Sequence, residues 1–247
     1  MSIKTAEELA KMRAAGWVAR LTLEAMKRAV RPGVTTAEVD EVGAKVIRAH
    51  GARPAPAQVY GFPGVNLISV NNEVVHGIPG ARQILEGDLV KLDVTIEKDG
   101  FMADAAITLG VGKISEEKSR LLACVERAFH RAMKVARAGV RVSEIGGVIE
   151  REVRRSGFSV IRELGGHGIG RTIHEPPSVP NYRDRNSKEI LTEGLVITVE
   201  PIISAGSGKV FLGMDGWMVE TSDGGMAAHY EHTLVITNDQ PILLTAI

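Results

Sequence analysis

Residues 31–51, RPGVTTAEVDEVGAKVIRAHG, return in altered form at residues 137–157 as RAGVRVSEIGGVIEREVRRSG. At a shift of 106 positions (137 − 31), Arg31, Gly33, Val34, Glu38, Val42, Arg48 and Gly51 fall on Arg137, Gly139, Val140, Glu144, Val148, Arg154 and Gly157. Val39 on Ile145 and Ile47 on Val153 are conservative matches at the same shift. A helix stop, an apolar face and a terminal glycine recur in one register, which is the signature of an internal repeat.

Each copy opens with a helical pair. Thr5 and Glu8 read as a capping box ahead of a helically spaced stretch to Val30, which Arg31-Pro32-Gly33 ends. Thr35 and Glu38 form a second box, and the helix through Val39, Val42, Val46 and Ile47 stops at Gly51. The second pair is expected from about Glu116 to Arg137 and from Ser143 to Ser156. Strand-rich sequence follows each pair and repeats in part at a shift of 107 (193 − 86): Glu86-Gly87 and Glu193-Gly194 each precede an apolar, β-branched run. The carboxylate seven residues after each Glu is Asp93 in one copy and Glu200 in the other. The expectation is a single α+β domain over residues 1–247, its copies spanning about 5–110 and 111–240, with helical pairs covering a central sheet in pseudo-two-fold symmetry.

Composition sets the outer limits. A chain of 247 residues, 44% apolar and 24% charged, is that of an ordinary globular protein. Its 30 basic and 30 acidic side chains cancel, which argues against nucleic acid or an acidic membrane as the main partner. Cys124 is the single cysteine, so neither a disulfide framework nor a Cys-rich zinc module is expected. The charged start Met1–Glu8 is unlike a secretory signal and no apolar run reaches about 18 residues, which points to the cytoplasm.

The chemistry resides in the strand regions. From Val90 to Asp104 apolar residues alternate at 90, 92, 94 and 96, and Lys98-Asp99-Gly100 is a hairpin signal. A loop at 98–99 sets Asp93 directly opposite Asp104, whereas a loop at 99–100 makes them diagonal neighbours on one face. Paired carboxylates across a ladder repel, so they need a cation or a proton between them unless they face solvent. Glu200 ends one apolar strand and Glu231 begins another, so each half supplies two carboxylates to strands where such residues are depleted. Four of them without nearby arginine suit a shared oxygen-ligated site. The glycine-rich segment Gly165–Gly170 carries His167, with His174 seven residues on, and its glycines permit close backbone approach to a ligand. His76 is a third candidate imidazole. Taken singly, each histidine is more often a structural residue than a ligand.

Together, Asn72–Pro79 with His76, Asp93 with Asp104 eleven on, Gly166–Gly170 with His174, Glu200-Pro201 and Glu231-His232-Thr233 resemble type I methionine aminopeptidases along essentially the whole chain. The resemblance implies the pita-bread fold, a curved antiparallel sheet under the helical pairs. It also implies removal of the N-terminal methionine from nascent polypeptides with a small second residue. Two divalent ions, of cobalt, manganese, iron or zinc, would be held by Asp93, Asp104, His167, Glu200 and Glu231, with Asp104 and Glu231 bridging. His76, His174 and Glu200 would be catalytic: His76 toward the scissile nitrogen, His174 toward the carbonyl, Glu200 handling the water proton. Phe62, Leu67, Trp217, Val59 and Ile173 would form the methionine pocket with His76 and His174. A monomer is expected, with room for a transient ribosome contact but no membrane and no specific nucleic acid. The chain departs from the family pattern at Leu164, Ile173 and His229, where an aromatic or Met, an aromatic and Gln are usual. A proline-specific peptidase on this fold would carry a further N-terminal domain, and a metal-free binding module would lack ligands.

Overall fold

A computed structural model describes residues 1–246. Its five helices are α1 (Ala6–Ala29), α2 (Thr36–Ala49), α3 (Ala55–Tyr60), α4 (Glu116–Met133) and α5 (Val142–Arg155). The Thr35–Glu38 box closes in both directions. At α1 Thr5 accepts the Glu8 N–H, but the Glu8 carboxylate takes the Lys4 N–H instead of closing the box. Helix α4 ends at Met133, short of the expected Arg137, because the chain turns over Lys134–Arg137 before the next helix.

The repeat reaches further than sequence identity reveals. The buried positions of α1 include Ala15, Val18, Ala19, Thr22, Leu23 and Met26; those of α4 include Leu121, Cys124, Val125, Ala128, Phe129 and Ala132. These sets are the same i, i+3, i+4, i+7, i+8, i+11 stripe, offset by the same 106 positions (121 − 15), although no residue is identical. Burial geometry has outlasted residue identity.

Each helical pair packs on its own half of a nine-stranded sheet. In the first half, α1 and α2 cover Val90, Leu92, Val94 and Ile96, the alternate residues of the Leu89–Lys98 strand. In the second, α4 and α5 cover Ile197, Val199 and Leu234. The period of two that buries these residues under helices turns Asp93 and Thr95 to the opposite face.

The halves join where the Phe101–Gly110 strand pairs antiparallel with Glu231–Val235, Ala106 facing Glu231 and Ala105 facing His232. Glu231–Val235 pairs next with Val196–Val199, and the order continues through Gly165–Gly168 to Glu175–Pro180. The result is the pita-bread arrangement, with the uncovered face of the sheet lying over the seam. Buried Lys91 spans that seam too, its Nζ donating to the carbonyls of Asn71 at 2.8 Å and Ala227 at 3.2 Å. Burial away from water pulls its pKa down to about 7.

Candidate metal and substrate site

The hairpin adopts the second register. Lys98 faces Phe101, so Asp99 and Gly100 form the loop, with φ of 51° and 81°. Positive φ at both positions is what a two-residue type I′ turn requires, and Asp-Gly suits it. Asp93 then pairs with Ala106 and Asp104 with Thr95, leaving the two carboxylates diagonal on one face. Asp104 is fixed across the seam: its N–H donates to Thr233 Oγ1 at 2.9 Å, and that hydroxyl donates back to the Asp104 carbonyl at 2.7 Å.

Thr198 organises the second half. Its hydroxyl accepts the His167 N–H at 3.0 Å and donates to Glu200 Oε1 at 2.9 Å. The His167 ring bonds through Nδ1 to the Gly168 carbonyl at 2.9 Å, which selects the tautomer with a lone pair at Nε2. That Nε2 lies 3.5 Å from Glu200 Oε1. The flanking glycines serve a different purpose from the expected approach to a ligand. A Cβ on Gly166 would meet the Thr198 carbonyl, and one on Gly168 the Pro176 carbonyl, so they let neighbouring backbone pack against this strand.

Five acids and imidazoles converge in two donor sets, Asp93 with His229 and Glu231, and Asp104 with His167 and Glu231, the atoms of each lying within 4.8 Å of one another. Of the two residues expected to bridge, Glu231 belongs to both sets and Asp104 to one. Among the described residues seven buried side-chain nitrogen or oxygen atoms lack a hydrogen-bond partner, and five of them lie on Asp93, Asp104, His229 and Glu231. Buried polar atoms are normally satisfied, so this concentration fits a bound cation.

The electrostatics agree. Burial, reinforced by Asp104, pushes the Asp93 carboxyl well above the usual range. Burial and the neighbouring Asp104 and Glu200 do the same to Glu231. Glu200 goes the other way, because His229 and His167 more than offset its burial.

These groups line a cavity of about 430 Å³, within the range of small-ligand sites. Its apolar wall includes Phe62, Leu67, Ile173 and Trp217, with the Phe62 and Trp217 rings edge to face at 5.3 Å. Val59 does not belong to it: the residue is 41% exposed, and α3 turns Pro56 and Tyr60 to the cavity instead. His76, in a left-handed conformation with φ of 62°, lines the cavity, as does His174. Tyr60, unforeseen from sequence, places its hydroxyl 2.5 Å from His174 Nδ1. Burial, with His167 close by, lowers the His174 pKa to about 4, so the ring is neutral; with the Tyr60 hydroxyl as donor to Nδ1, its proton sits on Nε2. Val75 and Ile202 also line the wall without having been expected there, as does Leu164, which the sequence marks as a departure from the family pattern. His229 had been noted only as a departure from the family, although its place two before Glu231, on the same side of an extended segment, was a readable signal.

Fold and site together define a metal-dependent hydrolase with an apolar wall beside its donor groups. The chain belongs to metallopeptidase family M24, whose sequence pattern matches residues 10–238. It is 42% identical over 245 residues to methionine aminopeptidase of Clostridium perfringens, covering 99% of this chain and 98% of that protein. The crystal structure of methionine aminopeptidase from Thermotoga maritima superposes along the full length of both chains with a TM-score of 0.96 at 34% identity. Prolidase from Pyrococcus furiosus shares the fold, with a TM-score of 0.81 at 24% identity, over 99% of this chain but 65% of its own.

A thermal measurement follows from the raised carboxyl pKa values. A carboxyl that titrates higher when folded holds its proton more tightly in the fold, so the metal-free chain loses stability as pH climbs from the ordinary carboxylate range toward the raised values. Divalent metal takes the place of those protons. The gain in melting temperature on adding metal is therefore larger at pH 8 than at pH 6. Equal gains at the two pH values would count against cation binding by Asp93 and Glu231.

Proposed function

We infer that this chain hydrolyses the peptide bond after an N-terminal methionine, in a metal-dependent reaction at the cavity over the seam. The observation that carries the reading is the convergence of two donor sets on Glu231 at the floor of a pocket walled by Phe62, Leu67, Ile173 and Trp217. Two divalent ions are the natural complement of two such sets; Asp93, Asp104, His167 and Glu231 are ligands from within them, and Glu200, which lies outside both sets, is the fifth that the resemblance adds. When bound, such ions acidify water and polarise a carbonyl.

The remaining work falls to the chain's own groups. Glu200, kept ionised by its histidine neighbours, accepts the proton of the attacking water on Oε2, the oxygen that Thr198 leaves free. His174 presents Nε2–H to the oxygen on which charge develops, its tautomer set by Tyr60. Burial keeps His76 neutral, and it contacts the scissile nitrogen. The apolar wall holds the methionine side chain and excludes water around the bond that breaks. One domain thus uses its two halves to supply opposite sides of one site. In the cell the reading puts a monomer in the cytoplasm, where nascent chains emerge.

The test uses the metal-free chain reloaded with a single metal. Met-Ala-Ser is expected to release free methionine only when metal is present. A large second side chain collides with the wall beside the acids, so Met-Lys-Ser should react on the order of 100-fold more slowly. Preferential cleavage of an X-Pro peptide would instead favour a prolidase-like activity.

A further inference from the structure

The two donor sets have the same composition: one aspartate, one imidazole and the shared Glu231. The resemblance accounts for one of those imidazoles, His167. The other is His229, which stands where relatives commonly carry glutamine.

His229 is held firmly. Its N–H donates to Thr108 Oγ1 at 2.8 Å, and the same hydroxyl donates to the His229 carbonyl at 2.7 Å. The residue is 1% exposed, yet neither ring nitrogen has a hydrogen-bond partner. Nε2 lies 3.4 Å from Glu231 Oε2 and 3.6 Å from Glu200 Oε2. Both distances exceed those of ordinary N–H···O bonds, about 2.7–3.2 Å. They are close to the 3.5 Å between His167 Nε2 and Glu200 Oε1, atoms of two residues that the resemblance names as metal ligands. Donors about 2.0–2.2 Å from a common ion stand roughly 3–3.5 Å apart, so the 3.4 Å separation of His229 Nε2 from Glu231 Oε2 is that of ligands sharing a cation.

We propose that His229 is a metal ligand, holding with Asp93 and Glu231 the cation on the Asp93 side, so that this chain's centre carries one imidazole in each subsite. The proposal rests on the metal-dependent reading above. Its chemical consequence is a shift of the Asp93 subsite from all-oxygen donors toward the nitrogen–oxygen sets that favour zinc, cobalt and iron over magnesium.

The test compares wild type with His229→Gln, which keeps a polar side chain of similar reach, and with His229→Ala. Zinc-edge X-ray absorption on chains loaded with two equivalents counts imidazole directly: about one per zinc in wild type and about half that in either variant. Calorimetry should show one of the two equivalents bound at least about 10-fold more weakly in both variants, with the other unchanged. Unchanged imidazole scattering and affinities in His229→Gln would overturn the proposal and make His229 a neighbour of the ligands only. If wild type takes up no zinc, manganese or cobalt, the metal-dependent reading falls as well, an outcome recognisable because no His229 variant is needed to see it. Melting curves of the metal-free variants guard against misfolding, and His229→Gln decides the matter if His229→Ala does not fold.

Discussion

Glu231→Gln is expected to take up neither cation with measurable affinity and to release no detectable methionine. Glu231 alone contributes to both donor sets, so its loss damages the two subsites at once, whereas His167→Ala damages one. Losing even an outer-shell partner of a metal ligand costs roughly 10- to 100-fold in affinity, and removal of a shared ligand exceeds that. The stability of the metal-free protein should move in the opposite sense. Burial and adjacent Asp104 and Glu200 hold the Glu231 carboxyl well above its ordinary range, so ionising it costs folding stability as pH rises. Replacing it with a neutral amide removes that cost, and metal-free Glu231→Gln should melt no lower than metal-free wild type at pH 8. The metal-induced gain in melting temperature should vanish in the variant. A variant that melts much lower without metal and yet still binds two equivalents would assign Glu231 to the core.

His174→Ala is expected to lower kcat on a Met-Ala peptide by on the order of 100-fold or more with its metal complement intact, the magnitude typical of a lost oxyanion donor. The ring lies outside both donor sets, and its Nδ1 is engaged by Tyr60, so its free Nε2–H faces substrate. His76→Ala should behave likewise through its contact with the scissile nitrogen. Tyr60→Phe leaves the imidazole in place but no longer selects its tautomer, and the loss of one hydrogen bond costs up to about tenfold. Metal content by elemental analysis, melting temperature and kcat, measured on the same preparations, separate these roles. Loss of metal from His174→Ala or His76→Ala would overturn the single-ligand role given to His167 among the three histidines first singled out. A drop in melting temperature with unchanged kcat would make either residue structural.

Much of the architecture depends on short-range rules and was legible in the chain. Helix starts follow from Thr5 and Thr35 as caps, and each helix face from apolar spacing. The alternation from Val90 to Ile96 separates the covered side of the sheet from the side that bears Asp93. The Asp-Gly pair narrows the hairpin to two registers, both of which put the aspartates on one face. The duplication reveals that a partner pair of carboxylates must exist, and the order of the acid and histidine blocks is specific enough to identify the family.

Tertiary structure decided which groups actually meet. The 99–100 loop was selected, and with it the diagonal arrangement of Asp93 and Asp104. The orientation of α3 exposes Val59 and brings Tyr60 to His174, a contact spanning 114 positions. Thr233, 129 positions from Asp104, clamps it through two hydrogen bonds. His229 sits two before Glu231 in the sequence, but it was the seam that brought Asp93 and Glu200 around it. Caps, turns and face periodicity are set by residues within a turn or two along the chain, so sequence by itself determined the two halves and their carboxylate-bearing face. The tautomer of His174, the free nitrogens of His229 and the crowding of four acids arise from packing between distant segments, and only the closure of one half against the other could determine them.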